Sequence, residues 1–114
     1  MLPSISEAEI LKACLEFLAA KGIFAWRVNN IPAFDPKIGR YRSFHGLKGV
    51  SDIIGILPSQ EGVGRFFCCE VKSAHGKISA SQEAYLQEVD NNGGLAMIVR
   101  SIDDLEGFLE EEGH

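Results

Sequence analysis

The sequence predicts an α/β fold in the order αβββαβα, a central mixed sheet with helices packed against it. Three observations predict it. Apolar residues recur at helical spacing near the start of the chain. Two central runs, 52–57 and 65–72, are apolar nearly throughout, as strands covered on both faces are. Pro58, Gly62 and Gly64 punctuate the stretch between those two runs.

Ile10, Leu11, Cys14, Leu15 and Leu18 define a helix over about 6–21. Ser4 with Glu7, or Ser6 with Glu9, can form its capping box, and Gly22 stops it. Residues 24–28 alternate and are aromatic and β-branched, which predicts a strand. Residues 29–51 are polar, carry Gly and Pro, and show no strong period; a loop of that length is expected to be functional or mobile. Pro58, Gly62 and Gly64 make a turn between the two apolar strands. A helix is expected over 79–92, capped by Ser79 or Ser81 and closed by Gly93 and Gly94. Residues 95–99 predict a buried strand. Ser101 can cap a last helix carrying Leu105, Phe108 and Leu109. There is no internal repeat or low-complexity segment.

A length of 114 residues predicts one domain, 1–114. A chain this short has much surface for its volume, and a second copy would help it. No run approaches the roughly 18 apolar residues of a membrane span. The start, Met1 to Ser4, lacks a basic region followed by an apolar block, so no secretory signal is expected. Cys14, Cys68 and Cys69 are an odd set with two neighbours in an apolar run. That predicts packing residues in a reducing, cytoplasmic setting, not a disulfide framework or a zinc site.

The net charge of −5 argues mildly against a polyanionic partner. Its distribution argues the other way. Lys37, Arg40, Arg42, His45 and Lys48 fall in one stretch without an acid, interleaved with Tyr41 and Phe44. The cations can grip phosphates and the rings can stack on bases. An ordinary solvated loop would look similar. Lys77 can add another phosphate contact. Trp26 is expected in the core, and His75 at the surface.

The chemistry lies between the two central strands. Taken as a hairpin centred on Glu61, inside the turn signal, they place Asp52 opposite Glu70, within about 5 Å on one face. The period of two brings Lys72 to that face as well. Paired carboxylates repel and are costly to bury, and a hard divalent cation resolves the conflict. Such a cation polarises a phosphodiester and activates water, while a nearby lysine steadies the developing charge. Glu-x-Lys alone reads more readily as a strand-end ion pair, with Lys72 neutralising the acids. Two more residues extend the group. At about 100° per residue, Glu7 falls within the apolar stripe of the first helix, whereas Glu9, Lys12 and Glu16 fall opposite. A first-turn acid can also simply stabilise the helix end. Gln82 faces the core side of its helix, where an amide can hold water or phosphate, or only mark the core rim.

Gly46, Gly49 and Asp52 at three-residue spacing, then Glu70-Val71-Lys72, then Gln82, resemble the PD-(D/E)XK (restriction endonuclease-like) nuclease superfamily. Within it the chain is similar to the VRR-NUC group, in particular its short stand-alone phage and bacterial members. The resemblance covers Glu7 to the last helix. It implies Asp52, Glu70, Glu7 and the Val71 carbonyl as metal ligands, Lys72 as catalytic lysine and Gln82 as the helix glutamine. It implies Mg²⁺, with Mn²⁺ as substitute, and a homodimer cutting branched DNA in the manner of Holliday junction resolvases. Ser51 stands where proline is often found. A duplex nicking or restriction-type nuclease, and a DNA-binding module that keeps only the fold, are the alternatives.

Overall fold

The computed structural model describes residues 5–28, 34–37, 39–41 and 48–114. Its helices are α1 (Glu7–Ala20), α2 (Ala80–Asn91) and α3 (Ile102–Glu111). Its strands are β1 (Phe24–Arg27), β2 (Phe34–Asp35), β3 (Arg40–Tyr41), β4 (Ile53–Leu57), β5 (Arg65–Val71) and β6 (Leu95–Val99). The main sheet has the order β1-β4-β5-β6. Its first three strands run antiparallel and β6 lies parallel to β5, reached through α2. With its helices this mixed sheet gives the expected αβββαβα order. The small β2–β3 pair is an addition within the stretch read as loop, with Phe34 opposite Tyr41 and Asp35 opposite Arg40. Two-residue strands are too short to display a period, which is why the sequence hides them.

Local chemistry sets the ends of each helix. Ser6 caps α1 by accepting from the Glu9 amide, and Ser79 caps α2 by accepting from Gln82. At the C-terminus of α1, the amides of Gly22 and Ile23 bond the carbonyls of Ala19 and Leu18. Gly93 and Gly94 do the same for α2 with Asp90 and Val89. These are Schellman closures, so the carbonyls of both last turns find donors.

One face of the sheet meets α1 and α3. Ile10, Cys14 and Leu18 from α1, Leu105 and Leu109 from α3, and Ile53, Phe67, Cys69, Met97 and Val99 from the strands form the buried cluster there. Full burial of each large side chain is worth about 1.5–3 kcal/mol. All three cysteines are free and buried, as packing residues should be. Burial pushes the Cys14 thiol up to about 11 and that of Cys69 higher still.

The opposite face is covered only in part. Helix α2 packs on β5 and β6. Among the described residues nothing covers the β1–β4 side, whereas the sequence predicts central strands covered on both faces. Phe24 pairs with Ile56, which pairs with Phe66, and all three are exposed. Trp26, expected in the core, is also exposed, its ring centroid 4.9 Å from that of Phe24. β1 is an edge strand, and no helix reaches over its outer face among the described residues.

Candidate active site

The pairing of Ile53 with Cys69, continued one step, sets Asp52 opposite Glu70. This is the register expected from the turn signal. Asp52 lies where β4 begins, and its carbonyl accepts from the Val28 amide at 2.8 Å. Its Oδ2 accepts from the Val71 amide at 2.8 Å. That bond satisfies a donor at the strand end and fixes the carboxylate against β5.

Glu70 is 2% exposed, a charged residue inside an otherwise apolar strand. Its Oε1 accepts from Gln82 Nε2 at 2.8 Å and lies 3.8 Å from Lys72 Nζ. Its Oε2 is buried with no hydrogen-bond partner among the described residues. Burial, then the neighbouring Asp52 carboxylate, raises the Glu70 pKa to about 8. Lys72 pulls it down and Glu7 pushes it up further. The ammonium therefore does not offset desolvation and like-charge repulsion.

Gln82 reaches Glu70 because its helix starts where it does. Its side-chain oxygen accepts from the Ser79 amide at 2.9 Å, completing a capping box. Gly49 approaches from the other side with φ of +77°. A Cβ there would collide with the Ser81 carbonyl and lie 2.6 Å from the Gln82 nitrogen. The segment entering Asp52 thus packs directly on the first turn of α2.

Glu7 is exposed, not buried as its place on the apolar stripe suggested. Its direction is as expected: it lines a surface pocket with Ala8, Leu11, Arg27, Asp52 and Val71. The first turn of α1 projects beyond the core that Ile10 begins. Among the described residues, no three His, Cys, Asp or Glu side chains gather closely enough to hold a metal ion. The close carboxylates are Asp52 and Glu70, and Glu7 acts on Glu70 from the pocket wall.

The basic residues divide. Lys37, Lys48 and Lys77 are exposed. Lys48 lines a groove with Ser81, Ala84, Tyr85 and Glu88. Arg40 belongs to β3 by its backbone, while Arg42, Phe44 and His45 lie outside the described residues. Two cations escaped sequence reasoning. Arg27 lines the Glu7–Asp52 pocket, and its only signal was a charge closing an apolar strand. Arg100 bonds the turn after Lys72, a contact with no local signature.

A mixed sheet flanked by helices, with an Asp–Glu pair and a lysine two residues on at one end, defines a core of the PD-(D/E)XK type. The model of the VRR-NUC domain matches residues 6–103, and the chain belongs to that family of nucleases. No curated protein and no solved structure matches the chain in the corresponding comparisons.

Proposed function

We propose that this chain is a divalent-metal-dependent endonuclease that hydrolyses phosphodiester bonds in branched DNA such as four-way junctions, using Mg²⁺ and acting as a homodimer. The observation that carries the metal dependence is the buried, unpartnered Oε2 of Glu70 beside Asp52. A hard oxygen donor such as Glu70, with its raised proton affinity, suits a small divalent cation, which would replace the proton. Asp52 and Glu70 would hold the ion with the Val71 carbonyl as a further oxygen donor, and Glu7 would add negative charge from the pocket wall. When bound, such an ion polarises the scissile phosphate and lowers the pKa of water.

The chain's own groups perform the remaining tasks. The Val71 amide orients Asp52, and Gln82 orients Glu70. Lys72, 14% exposed and beside Glu70, positions water and offsets charge that develops on the phosphate. Lys48 lies on the segment entering Asp52 and Lys77 on the segment leaving Lys72, both exposed to meet flanking phosphates. Lys37, Arg40 and Arg42 extend that set. The open row of Phe24, Ile56 and Phe66, with Trp26, supports the dimer, since an apolar patch of that kind seeks cover.

The test is incubation with a four-way junction, a linear duplex and single-stranded DNA, in Mg²⁺ or EDTA, alongside Asp52→Ala and Lys72→Ala. Junction cleavage that requires Mg²⁺ and both side chains is expected. Cleavage in EDTA, or by either variant, would sink the mechanism. Equal cutting of duplex and junction would sink the junction preference. Tight binding without cleavage would leave a binding module.

A further inference from the structure

We propose that Arg100 is a positioning residue for Lys72, acting through the turn at 73–76; this rests on the reading of Lys72 as the catalytic lysine. Lys72 directly follows β5 and is still held to the sheet, through its amide on the Val99 carbonyl at 3.0 Å. Beyond it the chain turns, with the Gly76 amide on the Ser73 carbonyl at 3.1 Å. Parallel pairing of Val71 with Val99 brings Arg100 alongside Lys72. Nη1 of Arg100 then donates to the carbonyls of Ser73 and Gly76, each at 2.7 Å, with Ala74 at 3.4 Å. One nitrogen thus gathers the carbonyls of a turn that has no strand partner.

The turn in its place borders the Lys72 side chain. A Cβ on Gly76 would lie 3.4 Å from Lys72 Cδ and 3.2 Å from Ser73 Oγ. The aliphatic stem of Lys72 therefore fills the space where a side chain at 76 would begin, beside the residue whose carbonyl Arg100 holds. The proposed path runs from Arg100 to the Gly76 carbonyl, from Gly76 to the neighbouring Lys72 stem, and along the stem to the ammonium beside Glu70. Arg100 is fixed independently. Its amide donates to Asp104 at 2.9 Å, in the first turn of α3, and that bond survives side-chain replacement. A direct phosphate contact would be a different role, and it separates cleanly by experiment.

The experiment compares wild type, Arg100→Ala, Arg100→Lys and Lys72→Ala. It measures kcat, KM, the salt dependence of DNA binding, and the acetylation rate of Lys72 by mass spectrometry. Arg100→Ala is expected to lower kcat about 10–100-fold, in line with a displacement of about 1 Å at a reacting group. KM and the salt slope are expected to stay at wild-type values. Arg100→Lys is expected to recover part of kcat, since an ammonium offers three donors to the same carbonyls. Millimolar guanidinium is expected to recover part of Arg100→Ala and none of Lys72→Ala. Lys72 is expected to acetylate several-fold faster in Arg100→Ala. An unchanged kcat or an unchanged acetylation rate would overturn the proposal. So would a raised KM with the salt slope reduced by about 1, the mark of a lost phosphate contact. If Arg100→Ala does not fold, Arg100→Lys carries the same comparisons. Wild type without metal-dependent cleavage, or an active Lys72→Ala, would instead overturn the nuclease reading, and acetylation of Lys72 would still decide the positioning.

Discussion

Gln82 donates through Nε2 to Oε1 of Glu70 at 2.8 Å while its Oε1 accepts from the Ser79 amide at 2.9 Å. One carboxamide thereby ties a buried carboxylate to the N-terminus of α2. The acceptor end caps the helix and the donor end orients the site. A residue that only capped α2 could be Glu as readily as Gln.

That distinction gives a direct test. Gln82→Glu keeps an acceptor for the Ser79 amide but cannot donate to Glu70 when ionised. It also adds negative charge beside a carboxylate already burdened by Asp52. Near-native melting behaviour is expected, with metal-dependent cleavage reduced about 10–100-fold, the usual cost of losing a partner that orients a metal ligand. Gln82→Ala is expected to lose similar activity and some helix stability as well. Full activity in Gln82→Glu, measured at saturating Mg²⁺, would reduce Gln82 to a cap.

Gly49 locates the same helix from the opposite side. Its φ of +77° disfavours a side chain, and the Ser81–Gln82 peptide leaves no room for one. Gly49→Ala is expected to lower stability by about 1–3 kcal/mol from backbone strain alone, measured by urea denaturation. The steric conflict adds to that by moving the first turn of α2, and Gln82 with it, off Glu70. Activity losses of Gly49→Ala and Gln82→Ala are then non-additive. The double variant is expected to retain close to the activity of Gln82→Ala. Strictly additive losses would show that Gly49 acts on something other than Gln82.

The legible and illegible parts of this molecule differ in sequence range. Asp52 opposite Glu70 could be read because a hairpin register follows from where its turn lies. Lys72 then followed from the two-residue period, and Gln82 from the helical one. The direction of Glu7 was legible by the same periodicity, but its burial was not, since a wheel does not show where the core ends along the helix. The exposure of Trp26 escaped for a related reason. Alternation identifies two faces of a strand but not which of them a helix will cover. Gly49 against Ser81, and Arg100 against Gly76, are contacts between segments distant in sequence. Nothing in the local pattern announces them.

The open row on the sheet bears on assembly. Phe24, Ile56 and Phe66 are cross-strand neighbours and all exposed, at 67%, 42% and 40%. If a second copy covers them, Ile56→Glu places a charge at the middle of the interface. Wild type is expected to sediment as a dimer and Ile56→Glu as a folded monomer. The monomer is expected to nick one strand of a junction without paired incision of the second. A monomeric wild type at micromolar concentration would remove this support for a homodimer.

The raised pKa of Glu70 makes stability and metal binding depend on pH in opposite senses. In the metal-free protein the group titrates near 8, whereas the unfolded chain titrates near the ordinary value of 4.5. Between those values the native state holds a proton that the unfolded state has lost. Stability must then fall as pH rises through this window, by at most about 1.4 kcal/mol per pH unit for one group. The contribution is full below pH 4.5 and lost above 8. Glu70→Gln is neutral in both states and is expected to flatten this part of the profile. A divalent cation competes with the same proton, so apparent Mg²⁺ affinity is expected to rise across the window, with proton release on binding. Urea denaturation in EDTA at several pH values, beside calorimetric Mg²⁺ titrations in buffers of different ionisation enthalpy, reads both effects. A metal-free stability profile that Glu70→Gln leaves unaltered would mean that Glu70 is ionised in the folded protein at neutral pH, and the proton exchange between carboxylate and metal would fall with it.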